Sequence, residues 1–299
     1  MTAFATDQER HVRNPFSAAL GYFSFRLACP AKSQTLLGIT LCLLAANLTA
    51  QAANAYGVVE RLDGKVSIID GKGQTRVAHV NDTIMEGDTI VTGVDGELQV
   101  RTSDYGFAAY RPKSRITIQS FRAEADADDN MVLAIVYGGL RSISGWIGKY
   151  NREKYKIRTP NATVGIRGTD HEPLHIPLPP AGEEPIAEPG TYEKVNSGQT
   201  SLQNPAGEVI VNAGESAFSS HDAKKPPQKL AHIPAIYKPT ANESKIDARK
   251  EQLAKEVEQR RAEKQKAAAA PVATAKSEAS AKEEAAHKKA TAKHKPVTK

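Results

Sequence analysis

From Tyr56 to about residue 220, apolar and polar positions alternate in short runs, each closed by a turn signal. Gly57-Val58-Val59-Glu60-Arg61-Leu62 ends at Asp63-Gly64 and returns through Lys65-Val66-Ser67-Ile68-Ile69, a hairpin pattern. Residues 84–93 turn at Asp95-Gly96 into Glu97-Leu98-Gln99-Val100-Arg101-Thr102, and Asp104-Tyr105-Gly106 turns into residues 107–111. A polar patch, residues 124–130, precedes Met131-Val132-Leu133-Ala134-Ile135-Val136-Tyr137, after which Gly138-Gly139 turns into Leu140-Arg141-Ser142-Ile143. Beyond a Pro-rich loop, residues 177–189, strands are expected at residues 199–202 and 208–218. Strands of about 5 to 7 residues at a spacing of roughly 8 to 12, with no helical period between residues 56 and 220, predict an all-β domain. Its antiparallel hairpins fit a sandwich-like domain or a short β-solenoid.

After residue 220 the pattern loosens. Residues 222–240 read as a Pro/Lys linker. Ile246, Leu253 and Val257 among alternating charges predict a solvated helix with a narrow apolar stripe over residues 243–268, and the Ala/Lys/Glu-rich last thirty residues read as disordered. The expected organisation is residues 1–55 as a targeting segment, 56–220 as the β domain and 221–299 as linker, helix and tail.

The chain is organised around Thr159-Pro160-Asn161-Ala162-Thr163-Val164-Gly165-Ile166-Arg167-Gly168-Thr169. Pro160 forces an extended residue before it, and Gly165 and Gly168 mark bulges or close backbone approach. Thr159, Pro160, Ala162, Gly165 and Gly168 are therefore read as structural. Arg167 is either a buried hydrogen-bond hub or a guanidinium held out for an anion. The hub is the preferred reading, because backbone carbonyls can satisfy its donors. If one surface binds a partner, it is expected around Arg167 and the following Thr169, Asp170 and His171.

Leu36-Leu37-Gly38-Ile39-Thr40-Leu41-Cys42-Leu43-Leu44-Ala45-Ala46 is an uncharged apolar run, followed by the small-x-small patterns Ala50-Gln51-Ala52 and Ala53-Asn54-Ala55. With the basic residues before it, this reads as a secretory signal peptide, shorter than the ~20 apolar residues of a spanning helix. The long stretch before it leaves an uncleaved signal anchor as the alternative. Either way the β domain is expected to be exported, periplasmic if cleaved, or held at the membrane through residues 36–50.

Charge and cysteines then narrow the partners. The 299 residues carry a net charge of +6, but 19 Lys and Arg face only 10 Asp and Glu from residue 221 onward, so the remainder is slightly acidic. The β domain thus lacks the basic face of a nucleic-acid reader, and no nucleic acid is expected. The tail is either a contact for anionic envelope surfaces or a solubilising extension. Cys29 and Cys42 both precede residue 55, so cleavage leaves no thiol for a disulfide or a Cys-held metal.

Two strings imitate chemistry. His171-Glu172-Pro173-Leu174-His175 matches the zinc-protease string, whose two histidines must share one helical face with the glutamate as base. Pro173 would cost about 3 kcal/mol inside such a helix, so a plain loop or strand end is expected. Asp126, Asp128, Asp129 and Asn130 resemble oxygen ligands for calcium but lack the glycine and the glutamate of a calcium loop, and read as a solvated acidic loop. There is no nucleophile elbow and no phosphate-binding glycine loop. No catalytic residue, metal site or cofactor is assigned.

The pattern Gly-x-Val, then Asp-Gly-x-Val, then Glu86-Gly87-Asp88-Thr89-Ile90-x-Thr92-Gly93-x-Asp95-Gly96 resembles the start of a FecR-type domain. Gly138-Gly139-Leu140-Arg141-x-x-Ser144-Gly145 and the Thr159–Thr169 stretch resemble later signatures of that family, in the same order. The resemblance spans about residues 56–170 and implies an exported, all-β, non-enzymatic module. Its best-known members sense an occupied outer-membrane transporter and signal to a cytoplasmic sigma factor. Residues 1–35 lack the compact amphipathic helices of the cytoplasmic segment in those members, so the chain is more similar to free-standing exported ones. The expected role is that of a sensor or scaffold whose partner is an envelope protein or glycan, with a membrane-anchored transducer as the alternative.

Overall fold

The computed structural model describes residues 53–292, with side chains through residue 268. Residues 1–52, which hold the apolar run and both cysteines, lie outside the described residues. The first half of the domain contains β1 Ala55–Asp63, β2 Val66–Ile69, β3 Thr75–Val77, β4 Thr83–Met85, β5 Thr89–Thr92, β6 Glu97–Thr102, β7 Phe107–Tyr110, β8 Arg115–Arg122 and β9 Asn130–Ile143. A short helix α1, Trp146–Tyr150, leads into β10 Tyr155–Arg158, β11 Thr163–Ile166, β12 Asp170–Ile176, β13 Gly190–Ser197, β14 Gln199–Asn204, β15 Gly207–Asn212, β16 Ser216–Ser220 and β17 Gln228–Lys229. A long helix α2, Glu243–Ala292, follows. The fold is all-β with a helical C-terminal segment.

The strands form two layers that share β9. One layer runs β4-β1-β6-β7-β9-β12-β13-β16-β17. The other runs β3-β2-β5-β8-β9-β10-β11-β14-β15. Every pairing is antiparallel except β9 with β10. β9 pairs in the second layer through Tyr137 and in the first from Gly138 onward. Gly138-Gly139 is therefore a corner inside one strand and not the hairpin turn expected from sequence. Gly138 makes the corner possible: it sits at φ +78°, and a Cβ there would meet Ser114 Oγ at 2.2 Å and Lys113 O at 2.4 Å.

Alternation fills the space between the layers. Val59, Leu98, Val100 and Tyr110 from one sheet and Ile68, Ile90, Ile118, Leu133, Ile135 and Val164 from the other belong to one buried cluster. The Tyr56 and Tyr110 hydroxyls meet within it at 3.1 Å, which satisfies both in an apolar setting.

The reading of residues 221–299 needs correction. Residues 222–240 are not a free linker: β17 adds to β16, and Leu230, Ile236 and Tyr237 pack on Tyr192 and Phe218 from the outer face of the first layer. The helix is not merely solvated either. Ile246, Leu253 and Val257 are 2–3% exposed, and the first two sit against Phe107, Ala109 and Ile143. A stripe of three apolar side chains suffices because the sheet offers a matching apolar strip, each residue contributing about 1.5–3 kcal/mol. The backbone also stays helical through Ala292, where disorder was expected, consistent with the high helix propensity of alanine and lysine.

Candidate functional site

The Thr159–Thr169 stretch joins the two layers. Thr159 N–H donates to Ala162 O at 2.9 Å, and Ala162 N–H donates to Thr159 Oγ1 at 3.0 Å, closing the turn around Pro160. Asn161 Nδ2 donates to the carbonyls of Ser219 and Ser220, at 2.9 and 2.8 Å, and its Oδ1 accepts from Thr191 at 2.7 Å. After β11 the chain crosses to the other layer through Gly168, at φ +68°. There Thr169 exchanges hydrogen bonds with Ser144: Ser144 N–H donates to Thr169 O at 2.9 Å, and Thr169 N–H to Ser144 Oγ at 3.0 Å. Thr159, Ala162 and Thr169 thus act in joints, as does Gly168.

Arg167 is exposed, which overturns its reading as a buried hub; of its groups, the backbone N–H is engaged, donating to Gln199 O at 3.0 Å. The period of two explains the outcome. Val164 and Ile166 point into the core, so Gly165 and Arg167 face out.

The buried hub is Arg141, 2% exposed, on the part of β9 beyond the corner. Its Nε and Nη2 donate to the two Asp170 oxygens at 2.8 and 2.6 Å, its Nη1 to Glu243 at 2.6 Å, and its Nη2 also to Asp247 at 2.6 Å. Arg111 adds bonds to Glu172 at 2.7 Å and to Glu243 at 2.8 and 3.1 Å. Lys250 reaches Asp170 at 2.6 Å, and Lys194 reaches Glu172 at 2.5 Å. Burial alone would raise the Asp170 carboxyl, but hydrogen bonds from Arg141 and Lys250 outweigh it and hold it at about 2. Glu243 is likewise held at about 2, with burial opposed by Arg111 and Arg141. This network clamps α2 to the sheet, so Asp170 is a tie and not a free binding group. Sequence reasoning missed Arg111 and Arg141 as hubs, because their shared partner on α2, Glu243, lies more than a hundred residues away.

The His171–His175 string lies inside β12, where a plain loop or strand end was expected. His171 and His175 share the inner face, while Glu172 points outward to Arg111 and Lys194. The zinc-protease arrangement therefore cannot form. His171 Nδ1 lies 2.8 Å from Glu193 Oε1, both side chains fully buried, and His175 Nδ1 lies 3.2 Å from Thr191 Oγ1. Burial lowers His175 to about 4, so it is neutral near pH 7. Arg167, Thr169, Asp170 and His171 do not converge on one surface: the first is exposed and the other three are buried at separate places.

The acidic loop is only partly solvated. Asp126 is paired with Arg122, but Asp129 is fully buried and accepts from Trp146 Nε1 at 2.8 Å and from the N–H groups of Glu124 and Ala125 at 2.6 and 2.8 Å. Its oxygens are used by the loop itself and by the core.

The exposed chemistry gathers instead on the outer face of the second layer. Lys156 and Arg158 point outward between the inward Tyr155 and Ile157, and Arg152 and Arg167 stand beside them around a groove of about 460 Å³. The alternation in Tyr155-Lys156-Ile157-Arg158 carried this signal in the sequence.

Comparisons with known proteins give little further ground. No family model matches the chain, and no curated protein matches it. Two solved structures titled "putative anti-sigma factor from Parabacteroides distasonis ATCC 8503" are similar over 48% of this chain at 12% identity and a TM-score of 0.36. The match spans 59% of their length. A "Cell surface anchoring domain" is 32% identical over 21% of this chain and 82% of its own, with a TM-score of 0.20. At these TM-scores the likenesses carry no argument for fold or function. Among the described residues, no helix is long and apolar enough to cross a membrane.

Proposed function

We propose that the chain is an exported, non-catalytic binding module of FecR type, a sensor or scaffold at the bacterial cell envelope. The observation that carries this reading is how the signature residues are used. Gly138, Arg141, Ser144 and Thr169 are all spent on corners, ties and joints between the layers, as in a scaffold whose signature encodes its frame. Asn54 and Ala55, next to the expected cleavage sites, are tied into the β domain, their carbonyls accepting from Glu86 N–H at 2.8 Å and Ser103 Oγ at 2.7 Å. A second reading, a membrane-anchored transducer, draws on the long stretch that precedes the apolar run.

The test is the N-terminal residue and mass of the protein recovered from its native cell envelope. A start within residues 53–56 supports the free exported module. An intact Met1 in the membrane fraction favours the anchored transducer, and an intact Met1 in the soluble cytoplasm refutes both.

A further inference from the structure

The groove on the outer face of the second layer combines three features. Its floor is small and polar: Lys156 stands opposite Gly165, and Arg158 opposite Thr163, with Ser201 and Gln203 paired to these on β14. The missing side chain at Gly165 keeps the trough open, since a Cβ there would press on Ser201 Oγ at 3.0 Å. Its walls are cationic, formed by Arg152, Lys156, Arg158 and Arg167, all exposed. Two carboxylates, Glu153 and Glu208, also line it.

The second observation concerns pairing. Among the described residues, most arginines are engaged by a carboxylate within 4.0 Å, including exposed ones such as Arg76 and Arg260. Outside the groove two have none: Arg115, which is half-buried, and Arg261, which lies over the Tyr150 ring at 3.8 Å. Arg152, Arg158 and Arg167 have no such carboxylate, although Glu153 and Glu208 line the same groove. Arg152 Nε donates to Lys149 O at 3.2 Å, whereas the Arg158 and Arg167 side chains donate to no group among the described residues; guanidinium forks beside hydroxyl and amide groups suit a ligand carrying both an oxyanion and hydrogen-bonding hydroxyls. The volume falls in the range of small-ligand sites, roughly 300–1,000 Å³.

We infer that this groove binds an acidic saccharide, its carboxylate or phosphate taken by Arg158 and Arg167 and its hydroxyls by Thr163, Ser201 and Gln203. A membrane surface fits less well. The two glutamates would face the anionic headgroups, and the floor offers no large apolar side chain to insert. The inference deepens the binding-module reading by naming a ligand class, and its test does not depend on where the chain resides. Failure here would refute the groove, whereas the mature N-terminus decides export.

The test is calorimetric titration of the full chain with oligogalacturonate for the carboxylate, glucose 6-phosphate for the phosphate and maltotetraose as the neutral control. Binding is expected for at least one acidic probe, weakening with salt, and not for maltotetraose. The exposed double variant Arg158→Gln/Arg167→Gln should lose at least about tenfold in affinity by removing two charge-assisted contacts. Its melting temperature should stay unchanged. The tail variant Lys288→Gln/Lys289→Gln should bind as the parent does. Neither acidic probe binding, affinity that follows the tail and not the groove, or binding only to phosphatidylglycerol vesicles would each overturn the proposal.

Discussion

Replacing Arg141 by methionine removes the centre of the clamp while keeping most of its aliphatic volume. The side chain is 2% exposed and gives four charge-assisted hydrogen bonds of 2.6–2.8 Å. Breaking a buried ion pair costs about 3–5 kcal/mol when a partner is stranded. Here Asp170 keeps Lys250 and Asn196, and Glu243 keeps Arg111, so a loss near the low end, about 3 kcal/mol, is expected. Urea unfolding followed by the fluorescence of Trp146, the only tryptophan, measures it. The midpoint should fall with little change in slope. The same variant should alter the acid response. Asp170 and Glu243 are held at about 2 in the fold, below their ordinary 3.8 and 4.5. Their contribution is therefore complete above about pH 4.5 and lost as the pH falls toward 2. Arg141→Met should shrink that acid-dependent loss. A destabilisation under about 1 kcal/mol, the value of an exposed pair, with an unchanged acid profile, would refute the clamp.

Two further expectations follow from packing. Leu253→Ala should cost about 2–4 kcal/mol, because the side chain is buried against Phe107 and Ile246. A loss below about 0.5 kcal/mol, as for a surface change, would mean that the helix does not dock in solution. Gly145→Ala should destabilise more than Gly168→Ala, as measured by thermal melting. A Cβ at Gly145 would meet the Asp104 carbonyl at 2.2 Å, whereas at Gly168 nothing lies nearer than 3.9 Å and the cost is the positive φ alone, about 1–2 kcal/mol. Equal losses would sink the close-approach argument.

The β domain was legible because alternation has a local cause. In Tyr155-Lys156-Ile157-Arg158 the period of two fixes which side chains face the core before any partner strand is known. Pro173 likewise excluded a helix for His171-Glu172-Pro173-Leu174-His175, since proline is incompatible with the helix that zinc chemistry requires, but it did not separate the observed strand from a loop. The preferred role of Arg167 failed for a reason equally local: the inward Ile166 places its neighbour outward, and the flanking glycines drew attention away from that parity. Ile246 and Leu253 in α2 gave no sign of the strip formed by Phe107, Ala109 and Ile143, because that strip exists only after β7 and β9 pair.

The sequence alone determined the all-β class, most strand positions and the outward set of cations on β10, since these depend on the pleat and on neighbouring residues. Only the tertiary structure decided that Gly138 turns one strand between two layers, that Arg141 is the buried hub, and that residues 228–257 close the outer face. Each depends on groups brought together over tens to more than a hundred residues, and short-range periodicity holds no information about which distant charges and apolar faces will meet.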